Sequence, residues 1–80
     1  MSCLIVCELA TNHGGDVDLA CDMVRQAADA GADYAKIQSY SLARLNPNDP
    51  QRDWLTLAHL DEAAHARIFQ ACRDAGVKPL

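Results

Sequence analysis

Hydrophobic and polar positions divide the chain into three short strand-like runs and two amphipathic segments. Residues 3–9 form a continuous apolar run, which is typical of a strand buried on both faces of a parallel sheet. Residues 33–38 and 77–80 are two further short strand candidates. Between the strands, residues 16–30 and 61–75 carry apolar side chains at three- and four-residue spacing. That spacing predicts two amphipathic helices.

The residues at the ends of both predicted helices support these boundaries. Asp16 and Asp61 stand at the N-cap positions, where a carboxylate accepts hydrogen bonds from free backbone N–H groups. Gly31 and Gly76 stand at the C′ positions, which favour a left-handed residue. Each helix therefore ends in Ala-Gly directly before a strand, and the two units repeat one architecture.

A polar segment, residues 39–60, separates the second strand from the second helix. Its prolines and charged residues surround Trp54 and predict a long loop with about one turn of helix from Trp54 to His59. Trp54 is expected to pack this loop, although a loop of this kind can also cover a ligand. The complete order is β-α-β-loop-α-β, which predicts a parallel sheet with right-handed crossovers.

This pattern predicts an α/β protein in which residues 1–80 are only the N-terminal part of a larger fold. Two and a half βα units neither close a parallel sheet nor cover both of its faces. The candidates are a (β/α)8 TIM barrel of about 250 residues and a doubly wound sheet. A doubly wound dinucleotide-binding sheet would carry G-x-G-x-x-G at its first βα turn, where this chain has His13-Gly14-Gly15-Asp16. The barrel is therefore favoured.

Composition narrows the class of function. Eleven acidic and seven basic residues give a net charge of -4, and no basic cluster suggests a nucleic-acid partner. The apolar runs are far shorter than the roughly 20 residues that span a bilayer. No membrane partner is therefore expected, and the expected location is the cytoplasm. Cys3 and Cys7 are about 13 Å apart on one strand, too far for a disulfide. Cys21 and Cys72 occupy apolar helix positions, and a zinc site lacks paired ligands.

Three polar side chains are expected to meet at the carboxyl ends of the first two strands. Because side chains alternate along a strand, Glu8 lies on one face of the first strand, and Lys36 and Gln38 share a face of the second. A buried carboxylate and ammonium each cost several kcal/mol of desolvation, so their presence needs a reason. One interpretation is a structural Glu8–Lys36 ion pair. The other is an anion site, where Lys36 and Gln38 hold a phosphate or carboxylate and Glu8 handles a proton or a hydroxyl.

Asn12 and His13 follow the first strand in the βα loop, on the side where barrel enzymes bind substrate. Both are candidate substrate-binding residues. The alternative for His13 is a role in stapling the loop, with Gly14-Gly15 serving to turn the chain. His59 and His65 are interpreted as structural or solvent-facing.

The motif CELATNHGGD, residues 7–16, followed by GADYAKIQSY, residues 31–40, resembles the opening of the sialic acid (N-acetylneuraminate) synthase family. The pattern of that family is close to A-E-I-G-x-N-H-x-G and then G-A-D-A-V-K-F-Q-T, and the 28-residue step from Glu8 to Lys36 is part of the match. Two departures are Cys7, where the family usually has alanine, and Ala10, where it usually has glycine. Neither is expected to touch the three polar side chains.

The resemblance implies the N-terminal part of a TIM barrel whose remaining strands and C-terminal antifreeze-like domain are absent from residues 1–80. It implies condensation of phosphoenolpyruvate with an N-acyl amino-sugar aldehyde of the N-acetylmannosamine type, with release of phosphate. By position, Lys36 and Gln38 would contact phosphoenolpyruvate and Glu8 would be the catalytic, proton-handling carboxylate. Asn12 and His13 match the motif as substrate-binding residues.

For the full-length enzyme the resemblance implies a divalent metal, manganese or magnesium, and a homodimer. The metal ligands of the family lie on later strands, so no residue of this chain is expected to bind the metal. Residues 1–80 alone are expected to be inactive. The alternatives are another nonulosonate synthase of the same family, for pseudaminic or legionaminic acid, and a non-catalytic βα module.

Overall fold

Parallel strands and helices alternate along the described residues, 3–80, of a computed structural model. The elements are β1 (Val6–Ala10), α1 (Val17–Asp29), β2 (Tyr34–Ile37), a 3-10 helix (Leu42–Arg44), α2 (Arg52–Leu57), α3 (Glu62–Ala75) and β3 (Lys78–Pro79). The predicted order β-α-β-loop-α-β is confirmed. The long loop contains more regular structure than expected, because α2 starts before Trp54 and a 3-10 helix precedes it.

The three strands form one parallel sheet in the order β1-β2-β3. Asp33 fixes the start of the β1–β2 pairing, because its carboxylate accepts a hydrogen bond from the Ile5 backbone at 2.8 Å. Its own N–H donates to the carbonyl oxygen of Ile5 at 2.9 Å. At the other edge, the backbone of β2 and its flanking residues pairs with β3 and Leu80. Consecutive parallel strands therefore end at the same edge of the sheet.

The hydrophobic core lies between one face of this sheet and helices α1 and α3, which also pack against each other. Leu9, Ala35 and Ile37 contribute the sheet side of the core, as the alternation of side chains predicts. From the helices, Val24 and Ile68 are almost completely inaccessible to solvent. Both crossover helices thus cover the same face.

The opposite face of the sheet is exposed. Leu4, Val6 and Leu80 are 72%, 47% and 56% accessible to solvent. Two and a half βα units were expected to leave one face of the sheet uncovered, and α1 and α3 indeed cover only one face. Burial of the first strand on both faces stays a prediction for a complete sheet. No other segment of residues 3–80 covers the apolar side chains of Leu4 and Val6.

The helix ends agree with the sequence signals. The Asp16 carboxylate accepts a hydrogen bond from the Leu19 N–H at 3.1 Å. Asp61 does the same for the Ala64 N–H at 2.8 Å. Gly76 ends α3 in the left-handed region, with φ of 79°. Both carboxylate caps also place negative charge at the positive ends of the helix dipoles.

All four cysteines are free thiols, as the spacing predicts. Cys21 and Cys72 are buried in the core, where they act as small hydrophobic side chains. Burial raises the pKa of the Cys72 thiol, and the neighbouring Cys21 adds to this effect. Among the described helices, none is long and apolar enough to cross a bilayer.

The loop between β1 and α1 packs directly under α2. The Trp54 indole N–H donates to the Thr11 hydroxyl at 3.0 Å, so Trp54 packs the long loop as predicted. Gly15 has a φ of +85°, and a Cβ atom at this position would lie 2.1 Å from the Leu57 carbonyl oxygen. Gly15 is therefore required both by its backbone conformation and by the close approach of α2.

Replacement of Gly15 should show this double constraint. Gly15→Ala is expected to lower the free energy of unfolding by about 3 kcal/mol, because the left-handed conformation and the clash with Leu57 both oppose the methyl group. Gly31→Ala is the matched control, since its φ is +94° but no atom lies within 4 Å of the added Cβ. That control should cost only about 1 kcal/mol. Equal losses in urea denaturation would contradict the close approach of α2.

Candidate functional site

An open cavity lies at the carboxyl ends of β1 and β2, with a volume of about 450 Å³. Its walls combine a carboxylate, an ammonium group, an amide and two hydroxyl groups. The lining residues are Glu8, Ala10, Lys36, Ile37, Gln38, Ser39 and Tyr40. The predicted proximity of Glu8, Lys36 and Gln38 is therefore observed, although Gln38 lies just beyond the end of β2.

Glu8 and Lys36 are directly opposite each other in the β1–β2 register. The Lys36 Nζ atom lies 3.6 Å from the Glu8 Oε2 atom, and the two side chains are 49% and 51% exposed. Both side chains belong to the uncovered face of the sheet, so the pair is half-exposed among the described residues, and its burial in a complete barrel stays a prediction. A half-exposed pair at this distance contributes about 0–1 kcal/mol, so stability alone does not explain it.

A β-bulge ends the β1–β2 pairing and shapes the cavity wall. Glu8 pairs with Lys36 but Ala10 pairs with Ile37, so Leu9 is an extra residue on β1. Ala10 takes a φ of +51°, in the left-handed region that favours glycine. Ala10 lines the same cavity as the three polar side chains. Cys7 packs against the core instead, as expected.

The conformation of Ala10 makes a stability prediction. Ala10→Gly is expected to raise the free energy of unfolding by about 0.5 kcal/mol. Relief of left-handed strain of about 1–2 kcal/mol is partly offset by the extra backbone entropy of glycine in the unfolded chain. The control Ala66→Gly, at an exposed position inside α3, should lower it by about 1 kcal/mol. Urea denaturation measures both, and a loss of stability in Ala10→Gly would contradict the backbone geometry.

His13 and Asn12 do not line this cavity. The His13 ring is buried, with 2% of its surface exposed, and its Nδ1 atom accepts a hydrogen bond from the Gly15 N–H at 2.9 Å. The Nε2 atom has no hydrogen-bond partner among the described residues. Asn12 is exposed, and its backbone N–H closes a turn onto the Leu9 carbonyl oxygen. His13 thus staples the loop, and a substrate-binding role for either residue stays a prediction.

Burial also determines the ionisation of His13. Desolvation lowers the pKa of the His13 imidazole from 6.5, and the nearby Asp16 carboxylate partly opposes this shift. The unfolded chain therefore binds a proton more readily than the folded chain. The contribution of neutral His13 to stability is complete above pH 6.5 and is lost as the pH falls below that value towards the lower pKa of the folded state.

The pH dependence of unfolding tests this assignment. Between about pH 7.5 and about pH 5.5, the wild-type chain should lose more stability than His13→Gln, because only the wild type carries the buried imidazole. Urea denaturation at both pH values gives the two slopes. The same comparison between about pH 7 and about pH 8 is the control, where the slopes should agree. Parallel slopes across the acidic interval would contradict the burial of His13.

Two polar residues of the cavity were missed by the sequence reasoning. Ser39 lines the cavity, and its Oγ atom lies 2.7 Å from the Nε2 atom of His65. Tyr40 also lines it and donates its hydroxyl to the Leu55 carbonyl oxygen, while its ring contacts the edge of the His59 ring. Burial raises the pKa of the Tyr40 hydroxyl. Their position directly after Gln38 was the available signal, since residues following a parallel strand reach the same edge of the sheet.

The described residues do not fit a divalent metal site. Within residues 3–80, no group of three or more His, Cys, Asp or Glu side chains is placed to hold a metal ion. His13 uses Nδ1 within its own loop, and His65 uses both ring nitrogens in hydrogen bonds. The chemistry that this cavity supports is therefore that of an ammonium group, a carboxylate, an amide and hydroxyl groups. These groups suit a small ligand with an anionic group.

A parallel sheet with a polar cavity at the carboxyl ends of its strands is typical of α/β proteins that bind small molecules at that edge. No family model matches the chain. The pseudaminic acid synthase of Campylobacter jejuni is 31% identical over 88 residues, covering 91% of this chain and 26% of that protein. The N-acetylneuraminate-9-phosphate synthase of Mus musculus is 48% identical over 40 residues, covering 50% of this chain and 11% of that protein.

A solved structure agrees with these relatives. The N-acetylneuraminic acid (sialic acid) synthetase of Leptospira borgpetersenii serovar Hardjo-bovis, in complex with citrate, superimposes with a TM-score of 0.88 and 27% identity. The superposition covers 95% of this chain and 27% of the synthetase. The chain belongs to the sialic acid synthase family. It spans about a quarter of the length of the pseudaminic acid synthase that it matches.

Proposed function

We propose that residues 1–80 form the N-terminal part of a (β/α)8 barrel that acts as a synthase. The parallel order β1-β2-β3, with α1 and α3 on one face, is the arrangement of successive units in such a barrel. In a barrel, the exposed face with Leu4, Val6 and Lys36 would point into the interior. The remaining strands and an antifreeze-like domain would then complete the enzyme, and residues 1–80 alone would be inactive.

The proposed reaction is the condensation of phosphoenolpyruvate with an N-acyl amino-sugar aldehyde of the N-acetylmannosamine type, with release of phosphate, in surface carbohydrate biosynthesis. The observation that carries this proposal is the placement of Glu8 beside Lys36 and Gln38 in one cavity. The lysine ammonium and the glutamine amide would bind the phosphate or carboxylate of phosphoenolpyruvate. Because the half-exposed Glu8–Lys36 pair contributes little to the stability of the fold, the ammonium group remains available for a ligand.

Glu8 would handle a proton at the reacting centre. In this reaction water adds to the enol carbon and phosphate leaves by cleavage of the C–O bond, and a nearby carboxylate would orient this water and accept its proton. The neighbouring ammonium group of Lys36 would offset the repulsion between this carboxylate and the anionic substrate. Asn12 and His13 would contribute to substrate binding through the β1–α1 loop.

Other parts of the complete site are proposed to lie outside this chain. The divalent manganese or magnesium ion of the family would be held by residues on later strands, since the described residues offer it no ligand set. The sugar pocket would be completed across a homodimer. The partners of this chain are thus two small molecules and a second subunit, and no nucleic acid or membrane is part of the proposal.

A second candidate is the synthesis of pseudaminic acid from a different amino sugar. It is favoured by the match to pseudaminic acid synthase, which extends over 91% of this chain. The two candidates share the phosphoenolpyruvate site and differ in the sugar. Mass-spectrometric analysis of products from a panel of amino-sugar aldehydes, with a longer chain that includes these residues, distinguishes them.

The anion site is tested by titrating the chain with phosphoenolpyruvate and monitoring binding through the amide NMR signals. Lys36→Ala should weaken binding by about tenfold, because one charge-assisted contact of about 1.4 kcal/mol is lost. The matched control is Lys78→Ala, which removes the other lysine of the chain, at the Tyr34 ring and outside the cavity lining. Its affinity should stay within about twofold of the wild type. Equal effects of the two substitutions would support the structural ion pair instead.

Glu8 should behave oppositely to Lys36. Glu8→Gln removes a negative charge near the bound anion, so phosphoenolpyruvate should bind as well as in the wild type or a few-fold more tightly. In a longer, active chain the same substitution should lower kcat by about a hundredfold or more, because the proton-handling group is lost. Unchanged turnover would remove Glu8 from the chemistry, and weaker binding would show that it holds Lys36 in place.

A further inference from the structure

Ser39 and His65 form a hydrogen-bonded pair at the mouth of the cavity. Ser39 is exposed and follows Gln38 directly, while His65 lies in the first turn of α3. The Ser39 Oγ atom and the His65 Nε2 atom are 2.7 Å apart. The two residues are 26 positions apart in sequence, so the fold brings them together.

The second ring nitrogen of His65 determines the direction of this hydrogen bond. His65 Nδ1 lies 2.8 Å from the backbone oxygen of Asp61. A carbonyl oxygen only accepts hydrogen bonds, so Nδ1 carries a proton and donates it. In the neutral ring, Nε2 then has a free lone pair and accepts the hydrogen bond from the Ser39 hydroxyl. The neutral ring, with its single proton on Nδ1, is therefore sufficient to hold the pair together.

The base side of the pair is held by α3. Asp61 is the N-cap of α3, and its carboxylate accepts a hydrogen bond from the Ala64 N–H; the centroids of the Phe69 and His65 rings lie 6.1 Å apart, edge to face. Ser39 lies two residues beyond the end of β2, the central strand of the sheet. The arrangement contains a hydroxyl, a base within hydrogen-bond reach and a third group that orients the base. This is the general geometry of an activated nucleophile.

We propose that Ser39 and His65 form a base-assisted hydroxyl that accepts an acyl group from an activated ester. This activity goes beyond the proposed synthase function and does not depend on it. Lys36 and Gln38 line the same cavity, so acyl donors that carry a carboxylate or phosphate are the preferred class of substrate. His65 is the base, and Ser39 is the residue that forms the covalent bond.

The proposed step is balanced without a further co-reactant. Ser39 Oγ forms a bond to the carbonyl carbon of the ester while its proton passes to His65 Nε2. The bond between that carbon and the leaving oxygen breaks, and the leaving group departs with the electron pair and takes the proton from Nε2. Water then attacks the acyl-serine and passes one proton to Nε2. The carboxylic acid leaves, and Ser39 Oγ regains its proton from Nε2. The Nδ1–H group donates its hydrogen bond to the Asp61 carbonyl oxygen throughout.

Acetylation of the complete 80-residue chain by p-nitrophenyl acetate tests this proposal. Peptide mass spectrometry after brief exposure gives the modified residues and their rates. Ser39 should be acetylated about a hundredfold faster than Ser41, in line with the usual effect of a positioned general base. Ser41 is the matched control, because it lies two residues away, is exposed and makes no side-chain capping hydrogen bond. In His65→Gln, acetylation of Ser39 should fall to the rate of Ser41.

Denaturation by urea gives a second comparison that needs no variant. In the unfolded chain the rates of Ser39 and Ser41 should become equal, because the pair requires the fold. Equal rates in the folded wild-type chain would overturn the proposal. Rapid acetylation of Ser39 in folded His65→Gln would also overturn it. So would a rate of nitrophenolate release in Ser39→Ala that equals the wild-type rate. None of these outcomes depends on binding of phosphoenolpyruvate, so the proposed synthase function stands or falls separately.

Discussion

The parallel pairing of β1 with β2 is the constraint on which the rest of the structure depends. Parallel strands end at the same edge of a sheet, so the residues that follow each strand meet there whatever their distance in sequence. The register that places Glu8 opposite Lys36 assigns these two charges to the uncovered face. The same register assigns Leu9, Ala35 and Ile37 to the core. One set of backbone hydrogen bonds therefore determines both the packing and the chemistry.

The two faces of the sheet have different roles, one in the hydrophobic core and one at the candidate site. Helices α1 and α3 cover one face with small and branched side chains. The charged groups lie on the other face, beside exposed apolar side chains, and the remaining polar groups lie at the carboxyl edge. A charge on the core face would lose its hydration without a partner, at a cost of several kcal/mol. The bulge at Leu9 lies at the boundary between the hydrophobic core and the cavity. Leu9 faces the core there, and the next residue, Ala10, lies in the cavity wall.

Much of the fold follows from local rules that are visible in the sequence. The caps Asp16 and Asp61 and the final glycine Gly76 act within a few residues of themselves, so the helix boundaries could be predicted closely. The facing of Glu8 and Lys36 required only the alternation of strand residues and the β-α-β order. Both the extra residue of the bulge and the early start of α2 depend on packing between distant segments. The periodicity of hydrophobic residues does not predict such packing.

The site was predicted less completely than the fold, for the same reason. The Ser39–His65 pair joins a strand end to a helix start across 26 residues, and neither residue carries an unusual local pattern. His13 presents the opposite case. Its motif suggested a ligand contact, whereas the structure places its ring inside the loop, bonded to Gly15. Whether a polar side chain faces a cavity or its own backbone is decided by the turn geometry, which the residue type does not reveal.

The hydrogen bond between Trp54 and Thr11 has a practical consequence. Trp54 is the only tryptophan of the chain, and it joins the long loop to the turn that follows β1. Its indole is partly exposed and lies close to Gly14. Tryptophan fluorescence, excited selectively over that of the two tyrosines, therefore comes from one site, where two loops pack together beside the carboxyl edge of the sheet. The protein carries its own optical reporter of whether that edge is assembled.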